Sequence, residues 1–61
     1  LGDRGYLVLL AESGELDFEY PLDADVEVLA STGGFMYDSG RTLKVSFSKP
    51  RSYALLSYRK R

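Results

Sequence analysis

The sequence has neither cysteine nor histidine among its 61 residues. Without cysteine, disulfides and thiolate metal sites, the usual braces for a chain this short, are unavailable. Without histidine, the commonest general base, the triad base and the commonest transition-metal ligand are missing. Zinc hydrolases, cysteine proteases and serine–histidine enzymes are excluded on that ground. No catalytic residue, metal site or cofactor is assigned, and the chain is expected not to be an enzyme. Long apolar runs are absent as well. The longest, Tyr6-Leu7-Val8-Leu9-Leu10-Ala11, is far short of the roughly 20 residues of a membrane-spanning helix, so no membrane partner is expected. No leader peptide is visible, and the chain opens on Leu1 rather than Met, which points to a fragment, a processed product or the ordered part of something larger. The lack of cysteine is compatible with any redox compartment, so it does not locate the protein.

What remains is of globular type, with 44% hydrophobic, 28% charged and 13% aromatic residues. Such a length holds one domain, spanning residues 1–61. A domain of this size buries only roughly 60% of its unfolded surface, so its own core is marginal and a covering neighbour is physically reasonable.

The apolar period is two nearly everywhere, with no helical stripe. Tyr6 to Ala11 is apolar without interruption and reads as a strand covered on both faces. After a Gly-containing hairpin turn at Glu12-Ser13-Gly14-Glu15, Leu16, Phe18, Tyr20 and Leu22 alternate with Asp17 and Glu19 until Pro21 ends the ladder or marks an edge. Leu22-Asp23-Ala24-Asp25 reads as a turn into a third strand, with Val26, Val28 and Ala30 inward. Gly33-Gly34 breaks the pattern, and Phe35-Met36-Tyr37 is a short apolar island before the turn Asp38-Ser39-Gly40-Arg41. Leu43, Val45 and Phe47 form the inward face of the next strand, and Pro50 interrupts before a closing strand from Ser52 to Tyr58, with Arg59-Lys60-Arg61 left in solvent. Five or six short antiparallel strands, with turns every eight to twelve residues, predict an all-β sandwich or small barrel.

The same order of features carries a resemblance. An apolar strand, an acidic turn and a strand ending in Pro21 lead to Val26-Glu27-Val28-Leu29 and the break Ser31-Thr32-Gly33-Gly34. Gly40-Arg41-Thr42-Leu43-Lys44-Val45 follows, then Lys49-Pro50-Arg51-Ser52-Tyr53-Ala54-Leu55-Leu56. This resembles the C-terminal antiparallel β-domain that follows the catalytic barrel in α-amylase-superfamily glycosidases, in which a Pro-centred turn and a small polar residue precede a closing apolar strand. Pro50, Arg51, Ser52 and the run from Tyr53 to Leu56 match that ending, and residues 6–58 are covered. The chain starts where one or two of the family's strands would already have been laid down. The resemblance implies a non-catalytic accessory domain that shields barrel surface and in some members touches carbohydrate. The family's catalytic carboxylates would lie in a barrel outside this chain.

The charge is divided. Residues 1–30 hold eight acids and one base, a net of −7, whereas residues 31–61 hold one acid and seven bases, a net of +6. Either acidic and basic strands pair in one small sheet, or the basic half meets an acidic partner. Lys44, Lys49, Arg51, Arg59, Lys60 and Arg61, interleaved with Tyr53 and Tyr58, are the residues that would bind single-stranded nucleic acid, with bases on phosphates and rings stacked on nucleobases. Phe35 and Tyr37, beside the glycine pair, are candidates for a flat stacking face toward sugar rings or bases. Glu15, Asp17 and Glu19 lie about 6.5–7 Å apart along one strand face, a separation inverting glycosidases use, but an open wet face gives neither a cleft nor a raised pKa. Asp23, Asp25 and Glu27 lack the glycine-centred loop of a calcium site and read as edge protection. Gly33-Gly34 precedes no helix and no Gly-Lys-Ser/Thr sequence, so it is a turn rather than a phosphate cradle.

The leading expectation is therefore an accessory packing domain, its core built by Leu16/Phe18/Tyr20, Val26/Val28 and Leu43/Val45/Phe47. A neighbouring domain would cover the second faces of the first and last strands, including Leu56 and Tyr58. A nucleic-acid module is the alternative. Self-association, edge to edge through the strands next to Pro21 or Pro50, is the third reading.

Overall fold

In the computed structural model, which describes residues 2–61, the period-two pattern resolves into six strands. They are β1 (Arg4–Ala11), β2 (Leu16–Tyr20), β3 (Ala24–Ser31), β4 (Phe35–Ser39), β5 (Leu43–Phe47) and β6 (Ser52–Lys60). The pairing is nested and antiparallel throughout. β1 pairs with β6, from Arg4 opposite Arg59 to Ala11 opposite Ser52, and inside that pair β2 matches β5, from Leu16 opposite Phe47 to Tyr20 opposite Leu43. β3 lies on the other side of β6, and β4 on the other side of β5. The result is two three-stranded sheets, β1–β6–β3 and β2–β5–β4, packed as an open sandwich rather than a closed barrel.

The central strands carry the deepest burial because each has a neighbour on both sides and the other sheet in front. Leu43, Val45 and Phe47 of β5 face Ala54, Leu56 and Tyr58 of β6 across the core, which Ala11, Leu22 and Ala24 complete. Leu22, Leu43 and Leu56 are fully buried, each worth roughly 1.5–3 kcal/mol of transfer free energy. Tyr58 lies over Gly5, its cross-strand partner, where a Cβ would meet the phenol oxygen at 3.1 Å. The bare glycine makes room for the ring.

Four expectations change. β6 continues to Lys60 instead of ending at Tyr58, because Arg59 and Lys60 find ladder partners in Arg4 and Ala24. Leu56 and Tyr58 face the core, so they cannot be the outward residues of the last strand; Tyr53, Leu55 and Ser57 take that side. The strand after Pro50 is the centre of its sheet, paired on both edges, and therefore offers no edge for self-association. Leu16 and Phe18 share the inner face of their sheet but stay 43% and 48% exposed, since β2 is an edge strand that the opposing sheet covers poorly. In β3 the register slips between Val28, opposite Leu56, and Ala30, opposite Leu55, so Leu29 is the extra residue of a bulge and faces solvent.

Candidate interaction face of the β1–β6–β3 sheet

Alternation places the odd residues of β1 toward the core and Tyr6, Val8 and Leu10 on the outside. Register then sets Val8 opposite Leu55 and Leu10 opposite Tyr53, with Tyr6 opposite Ser57. The outer face of this sheet is therefore apolar across two adjacent strands. Tyr6 and Leu10 are each 72% exposed, Val8 66% and Tyr53 44%. Tyr53 is held there by its backbone: its N–H donates to Thr32 Oγ1 at 3.0 Å, and Thr32 N–H donates to Tyr53 O at 3.0 Å. The outer face of the other sheet is the reverse, with Asp17, Glu19, Asp38, Lys44 and Ser46 on it and Met36 as its apolar exception. One molecule thus carries one wet and one greasy outer face, and scattered single exposed apolar residues do not produce such a contrast.

The troughs on the surface are shallow and open. That on the greasy sheet lies above the small Ser57, between Tyr6 and Glu27, and is rimmed by Arg4, Arg59 and Asp25. Its charges balance, so it has no net pull on an anion. Among the described residues no group of acidic side chains is placed to hold a metal ion, and no helix is long and apolar enough to cross a membrane.

The residues expected to form a ligand surface do not converge. Lys44 is on the outer face of the β2–β5–β4 sheet, 3.8 Å from Glu19. Lys49 and Arg51 are in the β5–β6 turn, where Ser52 Oγ donates to Lys49 O at 2.7 Å. Arg59 is at the opposite end of β6 from Tyr53, about 20 Å away along the strand. Tyr58 is 6% exposed, its hydroxyl donating to Gly2 O at 3.5 Å, and offers no stacking surface. Phe35 packs on Phe47 with ring centroids 5.1 Å apart, and Tyr37 stacks on Phe35 at 6.0 Å, half-exposed at the rim of the sandwich. Only Tyr53 belongs to the greasy face. Tyr6, Val8, Leu10 and Leu29 were absent from the ligand candidates; the signal for the first three was the uninterrupted apolar run, which lacks the polar residue expected at every second place of a half-exposed strand.

The charge division is met within the molecule. Arg61 Nε donates to Asp25 at 2.9 Å, Arg61 Nη1 lies 3.5 Å from Asp23, and register places Arg59 opposite Asp25 and Lys44 opposite Asp38. The basic C-terminal end is laid along the acidic residues Asp23 and Asp25 at the start of β3. These ion pairs are exposed, so Arg61→Ala should lower unfolding free energy by less than about 1 kcal/mol, a loss that vanishes near 1 M salt in urea titrations.

No protein-family model, curated protein or solved structure matches the chain.

Proposed function

We propose that the chain is a non-catalytic packing domain whose outer β1–β6 face lies against a neighbouring protein domain, in the manner of the β-domain that closes α-amylase-type glycosidases. The observation that carries this reading is the exposure of Tyr6, Val8 and Leu10 on a face continuous with Tyr53. A side chain that contributes little to its own core and remains in water gains free energy only when something covers it, about 25 cal/mol per Å² of apolar surface. The trough on this face is open to solvent rather than an enclosed cleft, and burial of the apolar groups beside it is the work this reading assigns to the face. The scattered bases and their acidic partners favour this reading over nucleic-acid binding, which needs a continuous positive track.

Photo-crosslinking in the protein's native setting tests it. A benzophenone amino acid at Tyr53 should couple to a neighbouring polypeptide, and the same group at Asp17, on the wet face, should not. Equal coupling from both positions, or none from Tyr53, rejects the reading.

A further inference from the structure

The β1–β6–β3 sheet ends at β1, so among the described residues one side of β1 has no strand beside it. The phase of the ladder is set by Lys60 N–H, which donates to Asp3 O at 2.6 Å. Residues 3, 5, 7, 9 and 11 therefore direct their peptide groups toward β6, and Arg4, Tyr6, Val8 and Leu10 direct theirs to the open side. The other three edges are protected. β2 is five residues long, carries Asp17 and Glu19 and runs into Pro21; β4 is equally short and carries Asp38; β3 is bulged at Leu29 and carries Asp25 and Glu27. β1 has eight residues, no proline, no bulge and one charge, Arg4, at its first position. An edge of that kind is a template for another strand.

We infer that the strand it takes is β1 of a second copy, paired antiparallel about a two-fold axis at Val8. A two-fold axis normal to the sheet maps each face onto itself, so only registers that place a residue opposite its own copy close a dimer. Centring on Val8 puts Tyr6 opposite Leu10 of the second copy on the outer face and Leu7 opposite Leu9 on the inner one. It also brings Arg4 beside Glu12, twice; Glu12 is the first residue past β1, and since its carbonyl accepts the Arg51 N–H at 3.1 Å only its side chain is offered to the second copy. Centring one residue earlier puts Arg4 opposite Leu10, and one residue later puts Glu12 opposite Tyr6. Charge therefore selects the Val8 register. Arg4 has reason to seek that carboxylate: its neighbour across the strand within one copy is Arg59, a like charge, and among the described residues neither Arg4 nor Glu12 is in an ion pair. The product is a continuous six-stranded sheet, β3–β6–β1–β1–β6–β3, whose greasy outer face is doubled in width. This inference uses the edge of β1 and stands whether or not the packing reading of its outer face holds.

Sedimentation equilibrium of the 61-residue chain tests it. A seven-residue strand pair is a small interface, so a monomer–dimer equilibrium is expected with Kd of roughly 1–100 μM. Arg4→Glu and Glu12→Arg should each raise Kd about tenfold or more by creating two like-charge contacts, and the double exchange should return it to within about threefold of the wild type. Val8→Pro removes an N–H that faces the open edge and not β6, so it should abolish the dimer while the far-ultraviolet circular dichroism stays native. Tyr53→Lys, on the greasy face but one strand inboard, should leave the dimer intact. A chain monomeric up to about 1 mM, or a dimer lost in Tyr53→Lys but indifferent to the charge exchange, overturns the inference; the latter result would place self-association on the face instead.

Discussion

Replacing Leu56 with alanine should leave most of the isolated chain unfolded at 25 °C. Leu56 has no accessible surface, sits mid-way along the central strand of its sheet, and has Leu7 on one side and Val28 on the other. Truncating such a leucine removes the transfer free energy of its side-chain carbons and leaves a cavity, a combined cost of about 2–5 kcal/mol. A core in a chain this small seldom supplies more than about 3–5 kcal/mol, and without cysteine no disulfide adds to it. The loss and the total are therefore of one size. Urea unfolding followed by circular dichroism should show wild type with a folded baseline and Leu56→Ala without one. Leu55→Ala, its neighbour on the other face, should stay folded, and Tyr53→Ala should differ from wild type by under about 1 kcal/mol. A Leu56→Ala chain that loses less than about 1 kcal/mol would mean that the two sheets do not meet there.

That contrast between Leu55 and Leu56 marks the limit of what was legible in the sequence. Strand class and the inward faces of β3 and β5 follow from alternation, because Val26, Val28, Leu43, Val45 and Phe47 are separated by polar or charged residues that must face water, whereas the turns expected at 22–25 and 38–41 overlap β3 and β4 and the hairpin expected at 12–15 is a connection between sheets. In β6, Tyr53-Ala54-Leu55-Leu56-Ser57-Tyr58 has apolar groups on both sides, so period alone does not say which set is buried. Register decides it: Ala54, Leu56 and Tyr58 stand beside Leu9, Leu7 and Gly5, and that set faces the second sheet. The alternation of β2 was unambiguous about direction but silent about depth. Its inward residues reach the core only at Tyr20, because a side chain at a sheet edge needs the opposite sheet to extend over it. The charge split was visible from composition, but its resolution needed the strand order, which brings Arg61 to Asp23 and Asp25 over a separation of more than thirty residues. The candidate ligand residues failed to converge for the same reason. Nearness along the chain in a two-sheet fold is no guide to nearness on a face, since successive strands change sheets at every connection except that between β4 and β5.

The second large effect is expected at the turn that leads into β4, where two adjacent glycines should respond differently to the same substitution. Gly34 has φ of +83°, and a Cβ there would lie 2.5 Å from Ser48 Oγ and 3.3 Å from Lys49 Cγ. Gly33 has no such angle, and the nearest atom to its Cβ would be Lys49 Nζ at 3.7 Å, an ordinary contact. Gly34→Ala thus meets two costs. The left-handed backbone region disfavours alanine by about 1 kcal/mol. The methyl also displaces the Ser48 hydroxyl, which donates to Gly34 O at 3.3 Å beside the Ser48 N–H bond to the same oxygen at 3.1 Å; losing such a bond costs about 0.5–1.5 kcal/mol. Together they predict a loss of about 2 kcal/mol for Gly34→Ala and under about 0.5 kcal/mol for Gly33→Ala. Because Ser48→Ala removes the oxygen that clashes, the Gly34→Ala/Ser48→Ala pair should be more stable than the sum of the single losses implies, by about 1 kcal/mol, while the backbone cost remains. Denaturant midpoints for the four chains of that cycle decide the matter: equal losses at Gly33 and Gly34, or strict additivity with Ser48, would rule out the tight approach of the β5–β6 turn to this glycine. The approach matters for the greasy face because the β3–β4 connection that carries Gly34 also holds Thr32, whose hydroxyl receives the Tyr53 N–H. Loosening Gly34 should therefore raise amide exchange at Tyr53 before it raises exchange at Leu56, since the clamp at the end of β6 can open while the centre of the strand stays closed.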